Sequence, residues 1–422
     1  MDQASSAARI VFINRFFHPD ISATSQMTSD LAFALAREGF AVSAICSRQR
    51  YDDAAAELPA TESCRGVTIR RVASTRFGRQ NLLGRALDFL SFYLTSLWAL
   101  LLVLRRGDVV VAETDPPLIS LVAGLVAWLR GAELVNWLQD VFPEVATELQ
   151  ANPLPRWLDG GLRKLRNLSL RRAHCNVVLG TRMRDHVLQL GVAAERICVI
   201  ENWADGHELR PIASLASRLR SQHGLGSRFV VGYSGNLGRA HEFSTLLEAA
   251  TDLKDDSSIV FLMTGGGAGM QALEAEVANR GLDNFRFLPY QPREQLSDSL
   301  GSADVHLVSL KPELEGLIVP SKFYGVLAAG RPSIFIGDTD GELSRVIRRH
   351  DVGYSVACGD SKALAGHIRS LSFDPEHRET LGERSRALFN NHYTLQRAVR
   401  EWSGVLRGTG VGAQAADPAL LG

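Results

Sequence analysis

The fold class follows from one glycine-rich stretch, Gly232-Tyr233-Ser234-Gly235-Asn236-Leu237-Gly238-Arg239. It overlaps the apolar run at residues 229–233, which is typical of a buried strand, and precedes a helical pattern near residues 243–250. Glycines at a strand-to-helix turn let the backbone approach an anion closely, and the start of the helix offers unpaired N–H groups. The stretch therefore predicts an α/β unit with an anion site after its first strand. A glycine-rich turn without a ligand is the alternative interpretation.

Short apolar runs alternate with helical patterns along most of the chain, which is typical of parallel sheets covered on both faces. Strands are predicted in the first half at 9–14, 41–46, 67–72, 109–112, 133–138, 176–179 and 197–200. The pattern restarts with predicted strands at 229–233, 258–264, 285–288, 305–309, 333–336 and 353–356. Helical patterns such as 28–38 and 118–130 lie between them. The fold class is therefore α/β, with two doubly wound, Rossmann-like domains whose parallel sheets face a cleft and bind ligands beyond the carboxyl ends of their strands.

The domain boundaries follow from the break in this pattern. We expect an N-terminal domain over residues 1–203, a linker over 204–227 and a C-terminal domain over 228–385. A helix over 386–406 could cross back to the N-terminal domain. The Gly- and Ala-rich residues 407–422 are expected to form a loosely ordered tail.

The composition argues against several classes of protein. A chain of 422 residues with 45% hydrophobic content is too long for one ordinary core and suits two domains. The formal net charge is zero, so no nucleic-acid partner is predicted. Five scattered cysteines without a CxxC pair argue against a zinc site or a disulfide framework and favour a reducing, cytosolic setting. The polar residues 1–9 lack the apolar core of a signal peptide.

A second stretch of chemical interest is Val319-Pro320-Ser321-Lys322-Phe323-Tyr324-Gly325-Val326-Leu327-Ala328-Ala329-Gly330. Pro320 and Ser321 are good residues for the start of a helix. Lys322 then falls in the first helical turn, where a cation opposes the helix dipole and an acidic residue would be more stable. A phosphate ligand explains this lysine better than helix stability does, although a solvated surface lysine is the alternative.

Two weaker signals complete the second half. The stretch Phe285-Arg286-Phe287-Leu288-Pro289-Tyr290-Gln291 ends a predicted strand with an aromatic side chain, Tyr290, that would suit the edge of a nucleobase. A plain strand end is the alternative. The triplet Asp338-Thr339-Asp340 matches the Asp-x-Asp pattern of metal-dependent transferases, but it lies in a glycine-flanked loop and we interpret it as an ordinary turn. We therefore predict no metal site and no cofactor.

Taken together, the ordered motifs of the chain resemble the family-4 GT-B retaining glycosyltransferases. The closer likeness is to the bacterial members that build capsular and exopolysaccharide repeat units. In the first half the motifs are NRFFHPDISATSQ at 14–26, TDPP at 114–117, WLQDVFPE at 137–144 and the hinge motif IENWAD at 200–205. In the second half they are Gly235 to Arg239, Gly265-Gly266-Gly267, and Pro320 to Gly330 followed by Arg331-Pro332.

The resemblance implies a GT-B architecture and retaining transfer of a sugar from a UDP- or GDP-sugar. The donor site that it implies in the second half comprises Gly235, Asn236, Leu237, Gly238, Arg239, Tyr290, Val319, Ser321 and Lys322. Ser25 and Gln26 are expected to close near the phosphates from the first half. Backbone amides and cations in these places would stabilise the charge that gathers on the departing diphosphate, so a metal is not required.

The chain departs from the family pattern in two places. Many members have Arg and Lys around the first glycine loop, where this chain has Asn236 and His241, so Arg239 and Lys322 are expected to substitute. Many members also have two glutamates eight positions apart, the second of which binds the ribose. The corresponding residues here are Leu317 and Gly325. Glu313 or Glu315 could replace the first glutamate by a small shift, and we assign the catalytic place to Glu315.

The N-terminal domain is expected to bind the acceptor. Asp140 follows a predicted strand, and we assign it the positioning or deprotonation of the acceptor hydroxyl. An aspartate that caps the next turn is the alternative. Gln139 is expected to contact the donor sugar. The acceptor that fits the basic surface of this half is a saccharide linked to a lipid, such as polyprenyl diphosphate.

Two features of the first half suggest a membrane surface. Residues 86–104 are mostly apolar and flanked by arginines, and their length borders on that of a transmembrane helix. We predict a buried or surface-dipping helix instead, because the strand at 109–112 belongs to the same cytosolic sheet. Residues 65–106 and 153–184 each contain eight Lys or Arg against one Asp, which suits anionic lipid, with a solvated basic face as the alternative. We therefore expect a cytoplasmic protein that is peripheral on the inner face of the membrane.

Two other functions remain open at this point. A nucleotide-sugar 2-epimerase could have the same fold and would convert its substrate without any acceptor. A non-catalytic GT-B partner protein would bind no nucleotide, and the glycine at position 325 is the feature that favours it.

Overall fold

The computed structural model describes residues 9–51, 53, 57–77, 82–150, 155–206 and 208–408, without the side chains of Leu82 and Arg156. The predictions for residues 1–8, 79, 153 and 409–422 therefore lie outside the described residues. The chain divides into two compact units. The first comprises Met1–Glu201 and Gln396–Gly422, and the second comprises Asn202–Leu395.

The first unit is built on an eight-stranded sheet. Its strands are β1 (Ile10–Ile13), β2 (Val42–Ser47), β3 (Thr61–Cys64), β4 (Val67–Val72), β5 (Val109–Ala112), β6 (Glu133–Leu138), β7 (Cys175–Val178) and β8 (Ile197–Val199). The order across the sheet is β3-β4-β2-β1-β5-β6-β7-β8. β3 runs antiparallel to β4, and the other pairings are parallel. Every residue of the central strands β1 and β5 is buried, as their apolar sequences require in a sheet covered on both faces.

Helices cover both faces of this sheet. They are α1 (Ala23–Arg37), α2 (Leu82–Val103), α3 (Ile119–Arg130), α4 (Glu144–Glu148), α5 (Arg156–Arg172) and α6 (Thr181–Gln189). α2 and α3 lie on the same face, where Phe92, Leu100 and Val126 pack with the strand residues Val11 and Val110. This packing forms the apolar core on that side of the unit.

The second unit has a six-stranded parallel sheet. Its strands are β9 (Phe229–Asn236), β10 (Ile259–Gly266), β11 (Phe285–Leu288), β12 (Val305–Ser309), β13 (Ser333–Ile336) and β14 (Gly353–Val356). The order is β11-β10-β9-β12-β13-β14, so the chain reverses its direction of travel between β9 and β12. Its helices are α7 (Arg218–Gln222), α8 (Ser244–Asp252), α9 (Ala268–Asn279), α10 (Leu296–Gly301), α11 (Lys322–Ala328), α12 (Glu342–His350), α13 (Ser361–Phe373) and α14 (Pro375–His392). Ligands of such sheets bind at the carboxyl ends of the strands, near the point of reversal.

The last helix, α15 (Leu395–Leu406), belongs to the first unit from Gln396 onward. Its Trp402 is fully buried and packs edge-on against Trp137 of β6, with ring centroids 4.9 Å apart. Ser403 donates a hydrogen bond to the Glu38 carboxylate (3.1 Å). The residues expected as one helix over 386–406 are therefore divided between the end of α14 and α15.

Apart from shifts at the ends of elements, the structure differs from the predicted elements in three places. Residues 204–227, expected as a linker, fold into the second unit, where Arg220 of α7 forms a buried ion pair with Asp304 (2.7 Å). The edge strand β3 was not predicted, because its sequence Thr-Glu-Ser-Cys has no apolar alternation. β9 and β10 are longer than predicted because Gly235 and Gly265 continue their pairing beyond the apolar residues.

Candidate active site

The carboxyl ends of β9 and β10 are joined through glycines. Gly235 and Gly265 are neighbours in the sheet, and a Cβ on Gly265 would lie 2.1 Å from the Gly235 carbonyl oxygen. Gly265 also has φ +133°, a conformation that favours glycine. Leu237 then ties the turn to the second strand, since its N–H donates to the Gly266 carbonyl (2.8 Å) and its carbonyl accepts from Gly269 (2.8 Å). The glycines therefore serve close packing of two strand ends, which places the turn at the edge of the sheet.

Lys322, the first residue of α11, reaches this turn. Its ammonium donates to the Tyr233 hydroxyl (2.6 Å), the Asn236 carbonyl (3.1 Å) and His241 Nε2 (3.0 Å). It also lies 4.6 Å from the centre of the Tyr233 ring, which is a cation–π contact. His241 Nδ1 lies 2.6 Å from the Ser309 carbonyl, so Nδ1 carries the proton and Nε2 accepts from the lysine. The lysine is thereby held by neutral dipoles alone.

The electrostatics of this cluster favour the binding of an anion. Burial lowers the pKa of Lys322 to about 7. Burial, together with the neighbouring ammonium, lowers the pKa of His241 to about 3, so the imidazole is neutral at physiological pH. Among the described residues, Lys322 forms no ion pair with a carboxylate. A half-buried cation without a counter-charge is destabilised, and a bound anion would restore its ordinary pKa.

Backbone amides around the lysine add further donors. Within the described part of the chain, no hydrogen-bond acceptor contacts the N–H groups of Gly238, Arg239, Ser321 or Lys322. The guanidinium of Arg239 is exposed and has no partner among those residues either. These groups can therefore bind an anion without breaking an existing bond.

Tyr290 borders the same place. A Cβ on Gly266 would lie 3.0 Å from Tyr290 Cε2, so the ring lies over the glycine at the end of β10. Its side chain is 55% exposed, which leaves a flat apolar surface facing solvent. A stacked or edge-on base could be accommodated there.

Two groups expected to donate to the phosphates already have partners. The N-terminus of α8 is capped by Glu242, whose carboxylate accepts from the Thr245 N–H (3.0 Å), so this helix end already has its anion. The amide of Leu237 is bonded to Gly266. The side chains of Leu237 and Val319 are buried, and the donor contact of Val319 remains a prediction.

Glu315 lies at a helix end in the second unit. Its carboxylate accepts from the Glu342 N–H at the start of α12 (2.7 Å) and lies against Gly341, where a Cβ would come within 2.5 Å of Oε2. This contact is a helix cap, and it accounts for Glu315 without a ligand. Its catalytic assignment remains a prediction.

The Asp338-Thr339-Asp340 triplet forms a turn with internal partners. The Asp340 N–H donates to Asp338 Oδ1 (2.9 Å), and the Asp340 carboxylate pairs with Arg345 (2.8 Å). In the described residues, no group of three or more His, Cys, Asp or Glu side chains is arranged to hold a metal ion. The metal-free reaction remains a prediction.

The first unit has two acids where β5 and β6 end, of which Glu113 is buried and Asp140 is half-buried. Glu113 directly follows β5 and accepts a hydrogen bond from the Thr28 hydroxyl. Asp140 lies two residues after β6 and is hydrogen-bonded by Thr114. One oxygen of each acid, Glu113 Oε1 and Asp140 Oδ1, is buried with no hydrogen-bond partner among the described residues. An unpaired buried carboxylate oxygen is costly, so both acids are candidates for a functional role.

Burial and mutual repulsion raise the pKa values of these acids. Burial raises the pKa of Asp140 to about 6, aided by the Asp115 carboxylate and opposed by the hydrogen bond from Thr114. Burial raises the pKa of Glu113 well above its usual value of 4.5, and the neighbouring Asp115 and Asp140 add to this shift. Both acids line a cavity of about 30 Å³, which has room for about two water molecules and none for a sugar ring.

The remaining predicted residues of the first unit lie in its helices and loops. α1 begins at Ala23, five residues earlier than its pattern predicts, so Ser25 and Gln26 lie in its first turn. Ser25 is fully buried and its hydroxyl lies 3.4 Å from the Asp20 carbonyl, whereas the half-buried Gln26 donates to the Ile21 carbonyl (2.8 Å). Ser25 thus contributes to packing. Gln139 is half-buried beside Asp140, and its contact with the donor sugar remains a prediction.

Comparison with protein families identifies both units. The family described as "Glycosyl transferase 4-like domain" matches residues 22–203, and the family described as "Glycosyl transferases group 1" matches residues 217–388. The chain belongs to the GT-B glycosyltransferases. The resemblance read from the sequence motifs is therefore confirmed, and the chain is a transferase enzyme.

Individual relatives of this glycosyltransferase agree with the family. It is 27% identical over 287 residues, 66% of this chain and 70% of the relative, to the "Putative colanic acid biosynthesis glycosyl transferase WcaI" of Escherichia coli (strain K12). Sucrose-phosphate synthase from Thermosynechococcus elongatus superimposes with a TM-score of 0.73 at 18% identity, covering 95% of this chain and 98% of that one. Anabaena HepE in complex with UDP and glucose has a TM-score of 0.71 at 16% identity, covering 95% and 100%. The structural matches confirm the two-domain α/β fold.

Sequence reasoning missed three residues of these sites in the glycosyltransferase. Tyr233 lies inside the quoted glycine stretch but carries no signal of its own, because an aromatic residue in a buried strand is ordinary. His241 was noted only as a departure from the family pattern, and its contact with Lys322 joins residues 81 positions apart. Glu113 could have been found, since an acid directly after the apolar run Val109–Ala112 is unusual in a buried sheet.

Proposed function

We propose that this glycosyltransferase transfers a sugar from a UDP- or GDP-sugar to a lipid-linked saccharide, with retention of anomeric configuration, in the synthesis of a cell-surface polysaccharide. The name of the Escherichia coli relative, which refers to colanic acid biosynthesis, supports the pathway class. The HepE structure, solved with UDP and glucose, supports a nucleotide-diphosphate donor for this fold. The place of action in this proposal is the cytoplasmic face of the membrane.

The observation that carries the donor proposal is the uncompensated ammonium of Lys322. It lies at the carboxyl edge of β9, beside unpaired amides and next to the exposed ring of Tyr290. A diphosphate supplies the missing negative charge, and a base attached to it supplies a partner for the aromatic ring. A free phosphate would satisfy the lysine but leave Tyr290 without a function.

The chemistry required of this site is stabilisation of a leaving group. As the bond between the anomeric carbon and the diphosphate oxygen breaks, the electron pair stays with that oxygen. The Lys322 ammonium and the amides of Gly238, Arg239 and Ser321 are arranged to stabilise the charge that develops there. Donors fixed in a sheet edge need little reorganisation during the reaction, which is the physical source of such catalysis.

The acceptor loses a proton as it attacks, and Asp140 is the group we assign to it. With a pKa of about 6, its carboxylate is largely ionised at neutral pH and remains basic enough to accept a hydrogen bond from an attacking hydroxyl. The cavity beneath Asp140 is too small for a saccharide, so the acceptor sugar would bind at the open side of this acid and water would fill the cavity.

A screen of radiolabelled UDP- and GDP-sugars with membrane extracts that contain lipid-linked acceptors tests the proposal. We expect label from one nucleotide sugar to enter the organic phase with the wild-type protein and not with Asp140→Asn. An epimer of the sugar nucleotide formed in the absence of lipid would identify a 2-epimerase and refute the transfer. Absence of binding to any UDP- or GDP-sugar by calorimetry would refute the donor site.

A further inference from the structure

Helix α2 has the opposite polarity to an ordinary surface helix, because its apolar side faces outward. Its outward residues Leu83, Leu87, Leu90, Leu94, Trp98 and Leu102 are large, apolar and 48–78% exposed. They recur every three or four positions and so form a single stripe along the whole helix. A helix that packs on a sheet normally exposes polar residues on this side. The stripe therefore needs an explanation other than the fold of the unit.

The polar residues of α2 are turned toward the protein. The buried Asp88 carboxylate accepts from the Thr75 hydroxyl (2.7 Å) and from the Phe77 N–H (3.0 Å). The Thr95 hydroxyl bonds the Ala73 carbonyl (2.9 Å), and the Ser91 hydroxyl accepts from the Thr75 N–H (2.9 Å). These bonds fix the rotation of the helix about its axis. The same bonds therefore hold the apolar stripe on the outward side of the helix.

The neighbouring helix α3 extends this apolar surface. Leu125, Trp128 and Leu129 are exposed, with Trp128 at 77%. The Arg130 side chain bonds the Leu101 carbonyl, which joins the carboxyl ends of the two helices. The exposed residues of α2 and α3 therefore form one surface, which we call the α2–α3 outer face. A patch of this kind on a soluble protein marks an interaction site.

The charges around the α2–α3 outer face select its partner. Arg85 lies near one end of α2, and the exposed Arg105 and Arg106 follow the other, while Arg130 ends α3. The acidic residue of the two helices is Asp88, which is buried. A face of leucine and tryptophan bordered by arginines complements the interface of a bilayer with anionic headgroups. A second protein would more often offer some polar complement, and this face has no central polar group to meet it.

Two arginines of the second basic cluster are already paired with acids, whereas its Lys164 and Arg172 are exposed. Arg166 of α5 is buried against Glu144 (2.5 Å), and Arg163 pairs with Glu144 (2.9 Å) and with Asp159 (2.7 Å). Paired arginines attract anionic lipid weakly because their charge is already compensated. We therefore base the inference on α2 and α3, and the membrane contact of the second cluster remains a prediction.

We propose that the α2–α3 outer face lies in the surface of an anionic bilayer, with both helix axes parallel to the membrane plane. α2 is long and apolar enough to cross a membrane, as judged by length and composition. Its inner side, however, is bonded to the loop after β4 and packed on the sheet through Phe92 and Leu100. The helix therefore enters the membrane surface without leaving the unit. The membrane contact deepens the proposed function. Only its purpose, access to a lipid-borne acceptor, rests on that function.

Flotation of the purified full-length protein with vesicles tests the proposal. Vesicles of phosphatidylcholine alone are compared with vesicles of equal parts phosphatidylcholine and phosphatidylglycerol. We expect strong binding to the anionic vesicles. Leu94→Glu combined with Trp98→Glu should lower the partition coefficient by about a hundredfold, because each side chain loses its transfer into the interface and gains a charge. Arg105→Gln combined with Arg106→Gln should lower it roughly tenfold on anionic vesicles only.

A matched control uses exposed apolar residues of the second unit. Leu215→Glu combined with Phe373→Glu alters two side chains that are 69% and 79% exposed, and it should leave vesicle binding unchanged. Equal losses in the control and in the Leu94/Trp98 variant would overturn the proposal, as would absence of wild-type binding to anionic vesicles. If the wild type is a dimer that the Leu94/Trp98 variant dissociates, without vesicle binding, the face is a contact between copies.

The vesicle assay is independent of the transfer reaction. No sugar nucleotide is present, so a protein that binds vesicles but transfers no sugar leaves this inference intact and contradicts the proposed function. A protein that transfers sugar but does not bind anionic vesicles contradicts this inference and leaves the proposed function intact. Binding of UDP and GDP by the Leu94/Trp98 variant should equal that of the wild type, which shows that the variant is folded.

Discussion

Replacing Lys322 by methionine is the most direct perturbation of the candidate donor site. Methionine keeps most of the volume and removes only the ammonium and its three hydrogen bonds. Tyr233 keeps its own bond to the Asn236 carbonyl (3.0 Å), so the turn remains tied together. His241 Nε2 loses its donor, which is expected to cost about 1 kcal/mol of stability. The folded site should therefore survive the change and report the loss of charge.

The expected magnitude follows from the type of contact removed. A hydrogen bond from a charged group contributes about 1.5–3 kcal/mol, which corresponds to roughly ten- to hundredfold in affinity. Lys322→Met should weaken binding of UDP or GDP by this factor and binding of the matching nucleoside very little. Isothermal titration calorimetry measures both. Lys362→Met, an exposed lysine of the same unit, is the matched control and should change neither.

The pH dependence gives a second, independent readout. In the free protein the lysine is protonated below its pKa of about 7, so its own contribution to the affinity for the diphosphate should be independent of pH there. Above that pH the protonated fraction falls, and the dissociation constant should rise by up to about tenfold per pH unit until the pKa in the complex is reached. His241, with a pKa of about 3, does not titrate in this range. The complex should therefore take up a proton when it forms at alkaline pH.

Two results would refute this reasoning. Equal losses for nucleoside and nucleoside diphosphate in Lys322→Met would show that the lysine shapes the pocket and does not bind phosphate. A dissociation constant of the wild type that stays constant from about pH 7 to about pH 9 would show that its charge does not contribute. The methionine variant should have lost the pH dependence altogether.

Four further changes test the rest of the structure. Asp140→Asn should abolish transfer while leaving nucleotide binding intact. In the wild type, kcat/KM should fall as the pH drops through about 6, because Asp140 must be ionised to act as a base. Glu113→Gln should raise the melting temperature of the first unit, and increasingly so above pH 4.5, because a buried acid whose pKa is raised on folding destabilises the folded wild type as the pH rises. Parallel plots of melting temperature against pH for the wild type and the variant would contradict this. Glu315→Ala should cost about 0.5–2 kcal/mol in chemical unfolding as a lost helix cap, and full activity would exclude its catalytic role. Trp402→Ala should cost about 3–5 kcal/mol, whereas the exposed Trp157→Ala should cost almost nothing.

Much of the fold could be predicted from the sequence because its central strands, such as β1 and β5, are fully buried and therefore apolar throughout. The bounds of β4, β5, β6 and β11 to β14 agree with the predicted runs residue for residue. The discrepancies have a common cause. β3 lies at an edge and needs no apolar residues, and the ends of β9 and β10 are glycines, which carry no hydrophobic signal.

The candidate sites were less accessible to sequence reasoning because they depend on contacts between distant segments. Lys322 could be selected, since a lysine at the start of a helix is unfavourable without a ligand. Its partners Tyr233 and His241 could not, because nothing local reveals which strand end the helix approaches. The capping of α8 by Glu242 was equally hidden, and it removes a helix end that the glycine pattern had suggested for the phosphate.

The first departure from the family pattern has a physical consequence. Where many relatives place permanently charged or well-solvated cations around the phosphates, this chain has a lysine whose protonation is disfavoured by burial, together with the exposed Arg239. The lysine gains its full charge when an anion stabilises its proton, so part of the positive charge of the site appears only with the ligand. Charge that appears with the ligand favours the diphosphate over nucleosides, which carry no phosphate to stabilise it. A His241→Ala variant tests whether burial sets the charge of Lys322: water that enters around the ammonium replaces the lost acceptor and relieves the burial, which should raise the pKa of Lys322 and shift the alkaline loss of UDP or GDP binding to higher pH, and an unchanged profile would contradict the role assigned to burial.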